Sequence, residues 1–519
     1  MSIFIKILSQ LLAPSSYKFL KALENPQAAQ KSVQEEIIRR LANSEYGQSL
    51  GIQSLSDWSS VPIVEYHDME KWILRQQESR KSILSSEPIL FYEQTSGSRG
   101  AAKLIPYTKS LRRSFNHMFC VWAHDLIVHG PKFSYGKIYF CISPQFSHTP
   151  HPTPHSPSLE DDSEYLDSWL RWLLRPFLVS PPGLSRLRNA EEFKHKLSQA
   201  LLLEEHLEII SVWSPSFLKV ILDYIQTNRT RLCRELGNRL SPQRRQLLLN
   251  PPPTDKHQGE EDRIPWTLLW RDLKLISCWD SVHAADGAGF LRFLFPNVLV
   301  QGKGLLATEA PMTVPLISAK GCVPVLDEVF FEFEDEQGEI FLLHELKKGC
   351  VYEIILSGKG GLYRYRIGDR VRVTHFYLGT PCLEFLGRTR EISDLVGEKL
   401  NFEFVCQVLD TLPLQEACFK SLLPVKKPKE HYVLLLDQAK VHPHELAQQL
   451  DASLLQSPQY RYARLLGQLQ PVRVLVSPRI PEIVTLHKTR SGQKWGDLKH
   501  EIFSTTPLNE ELLRELEKV

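Results

Sequence analysis

The sequence predicts an α/β protein: a large N-terminal domain of helix-covered β-sheets with a β-rich subdomain, then a smaller α+β domain. Three observations predict it. The chain has 519 residues, too many for one ordinary domain. Between residues 137 and 301, apolar strand-like runs alternate with helical periodicity, the pattern of a sheet covered on both faces. After Val323 that alternation gives way to closely spaced strand-like runs.

The elements follow in order. Residues 1–85 read as helical, with Val33, Ile37, Ile38 and Leu41 on one face ahead of Tyr46-Gly47. Phe4, Ile7, Leu8, Leu11 and Leu12 have the spacing of an amphipathic helix. The run is short and broken by Lys6, Ser9 and Gln10, so a helix docked on its own domain is expected rather than a signal peptide. Leu111, Phe115, Met118, Phe119, Trp122 and Leu126 mark a helix that Gly130 ends. Lys137–Ile142, Leu207–Trp213, Leu273–Trp279 and Asn297–Gln301 read as strands. Ser214-Pro215 opens a helix through Phe217–Ile225, and Ala284–Phe295 is another. Val325–Glu334, Glu339–Leu343, Val351–Ser357, Arg370–Phe376 and Leu383–Leu386 are the runs of the β-rich part. Beyond Arg388, Tyr432–Asp437 and Arg473–Val476 read as strands and His444–Leu455 as a helix. The expected division is therefore 1–387, with the β-rich subdomain over about 323–387, and 388–519.

Composition narrows the function. A net charge of +2 argues against a nucleic-acid binder. No apolar run approaches a membrane span. The nine cysteines are scattered without a CxxC pair, which points to a reducing, cytoplasmic setting. Residues 148–158 alternate His and Pro, and 250–263 are Pro-rich and then charged; both read as exposed loops, the first too poorly organised for a metal site.

The chemistry gathers in a few segments. Thr95-Ser96-Gly97-Ser98-Arg99-Gly100-Ala101-Ala102-Lys103 combines hydroxyls, glycines and a lysine, the ingredients of a phosphate cradle. Two residues between Gly97 and Gly100, and Ala102 before the lysine, exclude a Walker A loop. Thr308-Glu309 follows a strand end, where ligands of open α/β sheets bind. A Thr and a Glu there can hold Mg²⁺ beside a phosphate, although such a pair alone usually just starts a capped helix. Gly368-Asp369 reads as a turn between strands, and a carboxylate facing a site accepts ribose hydroxyls. Gly387-Arg388 marks the expected domain boundary, with Gly397-Glu398-Lys399-Leu400 after it.

In this order the segments resemble the signature set of the adenylate-forming superfamily. Phe91–Ser98, Lys103–Thr108, Gly361–Asp369 and Gly397–Leu400, with Val61-Pro62-Ile63 and Tyr66 upstream, are similar to the auxin-responsive Gretchen Hagen family of acyl-acid amido synthetases. The resemblance spans essentially the whole chain. It implies the adenylate-forming fold with a mobile C-terminal domain. It also implies a two-step reaction: a small carboxylic acid and ATP give an acyl-adenylate, and an amine, usually of an amino acid, then takes the acyl group. ATP and Mg²⁺ are the implied cofactors, and a monomer is expected.

Residue by residue, the resemblance implies that Thr95, Ser96, Gly97, Ser98 and Gly100 hold the β- and γ-phosphates, with Lys103 at the loop's end. Thr308 would touch the α-phosphate, Glu309 the Mg²⁺ and Asp369 the ribose, while Arg388 would sit at the hinge and also touch the ribose. A C-terminal lysine, Lys499 or Lys494, would complete adenylation. The acyl pocket is expected between the helix over 109–129 and the strands near 141, 213 and 302. Arg99, Leu305 and Ala310 depart from the usual pattern, and the lysine segment lacks the Tyr-Lys-x-Pro-Arg form of plant members. Two alternatives remain open: an acyl-CoA ligase sharing the first step, and a non-catalytic descendant serving as a binding or scaffold protein.

Overall fold

The computed structural model describes the chain apart from residues 1–2, 80, 95–102, 142–167, 180, 182, 185–186, 188, 253–262, 389–391, 491–494 and 496–497. Two helices, Ile3–Glu24 and Pro26–Ala42, open it. The first buries Ile5, Leu8, Leu12, Phe19 and Leu23, a stripe one residue off the expected face; Ile7 and Leu11 point to water. Asn25 caps the second helix, accepting from Ala28 N, and Pro26 occupies its first turn.

Four parallel strands, Lys137–Phe140, Leu207–Ser211, Leu275–Cys278 and Leu299–Gly302, form a sheet in that spatial order. The two central strands are wholly buried and mainly apolar, as a parallel sheet covered by helices requires, and the buried Glu208 is satisfied by the backbone N–H groups of Ser134, Tyr135 and Gly136 and by Lys274. The helix after Ser214-Pro215 runs to Leu236, well beyond the expected Ile225, because Ile221, Leu222, Ile225, Leu232, Cys233 and Leu236 continue its buried face.

A five-stranded antiparallel sheet follows, ordered Ile340–Leu342, Phe330–Glu334, Val351–Ser357, Tyr365–Tyr377, Thr380–Arg388. Two expectations are corrected here. The run Val325–Glu334 is not one strand: Leu326–Glu328 form a turn, and pairing begins at Phe330. The turn is fixed from outside, because Gln30 donates to Leu326 O and Val329 O and accepts from Phe331 N. Nor is Gly368-Asp369 a turn between strands. It lies inside Tyr365–Tyr377, at an irregularity in pairing with the strand Val351–Ser357. Gly368 sits at φ +85°, a conformation glycine adopts without strain, so the strand bulges and continues.

The C-terminal part has its own sheet: Lys420–Val425 antiparallel to His431–Leu436, which runs parallel to Arg473–Val476. No helix of the described residues is long and apolar enough to cross a membrane.

The first large core joins the N-terminal helices to the antiparallel sheet, linking residues such as Ile37 and Met69 to Phe331 and Val371. One polar group fixes that junction. Arg364 donates through Nε and Nη2 to both oxygens of Glu332, 2.9 Å each, and through Nη1 to Val61 O at 2.8 Å. Its backbone takes part as well: Arg364 O accepts from Val64 N at 3.1 Å, and Arg366 N donates to Val64 O. Arg364 adopts φ +45°, the left-handed region, so its position is held by these contacts rather than by intrinsic preference. The side chains of Arg364 and Glu332 are 12% and 5% exposed, so removing one strands the other. Arg364→Ala is therefore expected to cost about 3–5 kcal/mol of stability, read by urea denaturation; a loss under about 1 kcal/mol would show that the clamp is dispensable.

Candidate active site

The parallel strands end at Ser211, Cys278 and Gly302, and the segments just beyond them line one edge of the sheet. Trp213 and Trp279 lie there with ring centroids 5.7 Å apart. Lys303, 8% exposed, donates to Ser211 Oγ at 2.8 Å and stands 4.8 Å from the Trp213 ring centre. A Cβ at Gly302 would meet Asp280 Oδ1 at 2.1 Å, so any larger residue there would displace the Asp280 carboxylate. From the expected helix wall, Trp122 Nε1 donates to Gln301 Oε1 at 3.0 Å.

Thr308 and Glu309 do not start a helix. They form the two-residue turn of a short hairpin, Leu306–Ala307 against Ala310–Pro311. Tyr107, fully buried, pins that turn by donating to Thr308 O at 2.8 Å. Ala310 is itself fully buried in the hairpin, and Leu305 packs against the core.

Glu309 is 6% exposed. Burial raises its pKa above the usual carboxylate value, while the Arg388 and Lys103 charges pull the other way. Asp369 is 2% exposed and accepts from Arg388 Nε at 2.8 Å; the two residues are direct partners across the last strand pair. Lys103 Nζ lies 3.3 Å from Tyr365 Oη and 5.3 Å from the Tyr66 ring centre, and Tyr66 Oη accepts from Leu104 N at 2.8 Å. Burial, reinforced by the Glu309 charge, raises the pKa of Tyr365. The Val61–Tyr66 segment owes its place to Arg364, which is the physical meaning of that upstream motif.

The C-terminal part reaches this cluster through Lys499. Its ammonium stands 5.3 Å from the Trp279 ring centre. Its side chain is exposed to water, yet protein crowds it from several sides, as in the wall of an open cleft. That crowding and the Arg388 charge lower its pKa, against the opposing pull of Asp369, Glu309 and Glu501; access to water keeps the desolvation partial. Trp495 anchors the segment. It is buried in the core of the parallel sheet with ring centroids 5.6 Å from both Phe193 and Phe217, and Leu498 joins the same core. Two ion pairs brace the contact: Lys194 with Glu482 and Lys420 with Asp286, each 2.9 Å. A cavity of about 300 Å³ also lies at this contact, lined by Lys219, Tyr224, Phe290, Phe419, Asp437 and His500. None of Glu309, Asp369 or Arg388 borders it, so it is separate from the cluster.

Of the residues expected from sequence, the structure brings together Lys103, Glu309, Asp369, Arg388 and Lys499, with Thr308 beside Glu309. Thr95, Ser96, Gly97, Ser98, Arg99, Gly100 and Lys494 lie outside the described residues, as does the His-Pro stretch 148–158. Sequence reasoning missed Trp495, Trp279, Tyr365 and Lys303 as site builders. Tyr365 was visible within the Gly361–Asp369 motif; the two tryptophans and Lys303 carried no spacing signal.

Comparison with known proteins bears on the family and the fold. The description "GH3 family N-terminal domain" matches residues 16–300, "GH3 family central domain" 322–388 and "GH3 family C-terminal domain" 402–507. Indole-3-acetic acid-amido synthetase GH3.4 of Arabidopsis thaliana is 25% identical over 438 residues, 75% of this chain and 72% of that protein. The 4-substituted benzoates-glutamate ligase GH3.12 of the same plant is 24% identical over 466 residues, 81% of this chain and 80% of that protein. Among solved structures, the AtGH3.15 acyl acid amido synthetase in complex with 2,4-DB superposes with a TM-score of 0.79 at 21% identity, covering 97% of this chain and 95% of its own. A 2-hydroxyisobutyryl-CoA ligase in its postadenylation state shares the fold at a TM-score of 0.51 and 13% identity, covering 98% and 92%. The fold is thus that of adenylate-forming ligases, and the chain belongs to the GH3 family.

Proposed function

We propose that the protein is an ATP-dependent acyl-acid amido synthetase. It adenylates a small carboxylic acid, releasing pyrophosphate, and passes the acyl group to an amine, most naturally an amino acid, releasing AMP. One observation carries the reading: Lys499, from the far end of the chain, stands in the electrostatic field of Glu309, Asp369 and Arg388. An exposed lysine without a task at this cluster would not be delivered there by a buried tryptophan.

The donor set suits a magnesium nucleotide. Glu309 is a buried carboxylate, a hard oxygen donor whose charge needs compensation there. When bound, Mg²⁺ supplies neutralisation of phosphate charge. Glu309 would hold it, and Thr308 would meet the α-phosphate. Lys103, with Thr95, Ser96, Gly97, Ser98 and Gly100, would grip the β- and γ-phosphates. Asp369 would take the ribose hydroxyls, its carboxylate oriented by Arg388 at 2.8 Å. Lys499 would lie between the substrate carboxylate and the α-phosphate, where negative charge concentrates in the first step; Lys494 is the second candidate for that task. Trp213 and Trp279 would wall the acyl group. Amine transfer requires Lys499 to withdraw, so the C-terminal domain, taken as 388–519, would turn about Arg388 against 1–387. The scattered cysteines, with no CxxC pair among them, suit a reducing compartment such as the cytoplasm, and we take the working unit as a monomer.

Acid-dependent pyrophosphate exchange tests the reading, and AMP release dependent on an amino acid rather than on CoA separates it from a CoA ligase. No exchange across a broad acid panel, with no ATP-induced rise in melting temperature, would leave a binding protein on a retired fold. Lys499→Ala is expected to lower exchange by about 10²-fold or more while the thermal shift with MgATP persists. Trp495→Ala, which frees the lysine segment without touching the reacting groups, is expected to lower exchange by roughly 10²-fold.

The pH profile has a defined sign. Lys499 acts as a cation and its pKa is lowered, so exchange should fall at a pH below the usual lysine value; Lys499→Arg, whose guanidinium stays charged, should remove that alkaline limb. Glu309 acts ionised and its pKa is raised, so MgATP affinity should fall on acidification at a pH above the usual carboxylate value. Profiles following ordinary lysine and glutamate values would count against both assignments.

A further inference from the structure

Where the N-terminal helices meet the antiparallel sheet, away from the residues assigned above, three side chains converge: His117 from the helix Lys109–His129, and Asp327 and Glu328 from the turn that interrupts the expected strand. One ligand atom of each lies within 4.8 Å of the other two. We propose that His117, Asp327 and Glu328 form a site for one divalent transition-metal ion, zinc foremost.

Asp327 carries the argument. Its side chain is 7% exposed, and neither carboxylate oxygen makes a hydrogen bond. Burying a carboxylate in that condition is costly unless a cation compensates it. The nearest cationic candidate is His117. Its Nε2 lies 2.9 Å from Asp327 Oδ2, yet it too is buried without a hydrogen bond, so the two atoms are close but not aimed at each other. Two donors about 2.0–2.2 Å from a common zinc ion sit about 3.3–3.6 Å apart at the tetrahedral angle and about 2.8–3.1 Å apart at a right angle, so the 2.9 Å pair is within a few tenths of an ångström of a shared ion. Glu328 is already oriented: its Oε2 accepts from Ser114 Oγ and Lys359 Nζ, both 2.7 Å, leaving Oε1 for an ion. Such outer hydrogen bonds are what hold a metal-binding carboxylate in place.

Charge points the same way. Arg40 pairs with Glu36 and Glu87, and Lys359 with Glu36 and Glu328. With Asp327, this network has four carboxylates and two fixed cations, leaving two negative charges when His117 is neutral. A divalent ion balances it. One imidazole and two carboxylates are a donor set that zinc accepts. The site would be structural. The Phe19 ring, from the first helix, meets the His117 ring edge-on at 6.2 Å, and Gln30, from the second, holds the turn, so an ion here would tie both helices and the helix Lys109–His129 to the antiparallel sheet.

The test uses the full chain, stripped with a chelator and free of nucleotide, titrated with Zn²⁺ alone by calorimetry and with Co²⁺ by absorption. The expected result is one saturable site per chain, Co²⁺ d–d bands without a thiolate charge-transfer band, and a melting temperature raised by roughly 2–4 °C. Asp327→Asn and His117→Gln should each weaken binding at least about 10-fold, as loss of one ligand does, whereas Glu309→Gln should leave it unchanged. Absence of the Co²⁺ bands in the unaltered protein would overturn the proposal whether or not the variants fold. So would binding that both variants retain at full affinity.

Discussion

The clamp of Arg364 on Glu332 and Val61 is the constraint on which the site depends. It joins segments some 300 residues apart in sequence, and each contributes to the chemistry. Val61–Val64 leads to Tyr66, which positions Leu104 and lies beside Lys103. Arg364 leads directly to Tyr365 and, past the Gly368 bulge, to Asp369. A buried guanidinium with a bidentate carboxylate and a carbonyl has its donors satisfied in one geometry. The cost of its left-handed backbone is accepted because no other residue type presents that planar fork.

The site then draws on opposite ends of the chain. The strand pair ending at Arg388 delivers Asp369 and Arg388 as one unit, and the segment around Trp495 delivers Lys499. The first half is rigid, built on paired strands. The second rests on Trp495 and Leu498, seated in the core of the parallel sheet, and on two ion pairs. That contrast is what a two-step reaction needs if one charge must be present in the first step and absent in the second.

Much of this was legible in the sequence, for identifiable reasons. The parallel sheet announced itself through apolar runs, because burial on both faces admits only those polar residues that find partners, as Glu208 and Ser211 do. Gly361–Asp369 was legible because the clamp Arg364, the Tyr365 that meets Lys103 and the buried Asp369 are compressed into nine consecutive residues. Other features were hidden. The turn at Leu326–Glu328 is imposed by Gln30 from a distant helix, so Val325–Glu334 looked continuous. The Gly368 bulge resembles a turn locally; only pairing on both sides reveals a strand. Thr308-Glu309 has the composition of a helix start, and the tertiary bond from Tyr107 makes it a hairpin. Trp495 looked like any isolated tryptophan, since nothing in its neighbours' spacing says that its pocket belongs to another part of the chain.

Trp495 also has a thermodynamic consequence. Seating it and Leu498 in the core of the parallel sheet removes apolar surface from water, and would do so at each docking if the C-terminal part moves as proposed. Apolar burial near room temperature is driven by entropy and accompanied by a decrease in heat capacity. The balance between docked and withdrawn forms is therefore temperature-dependent in a particular sense: cooling weakens the docked form, because the hydrophobic contribution fades, while the ion pairs beside it do not follow the same curve. Under the proposed two-step reaction, the Trp495 contact would make the docked form more persistent in the warm than in the cold.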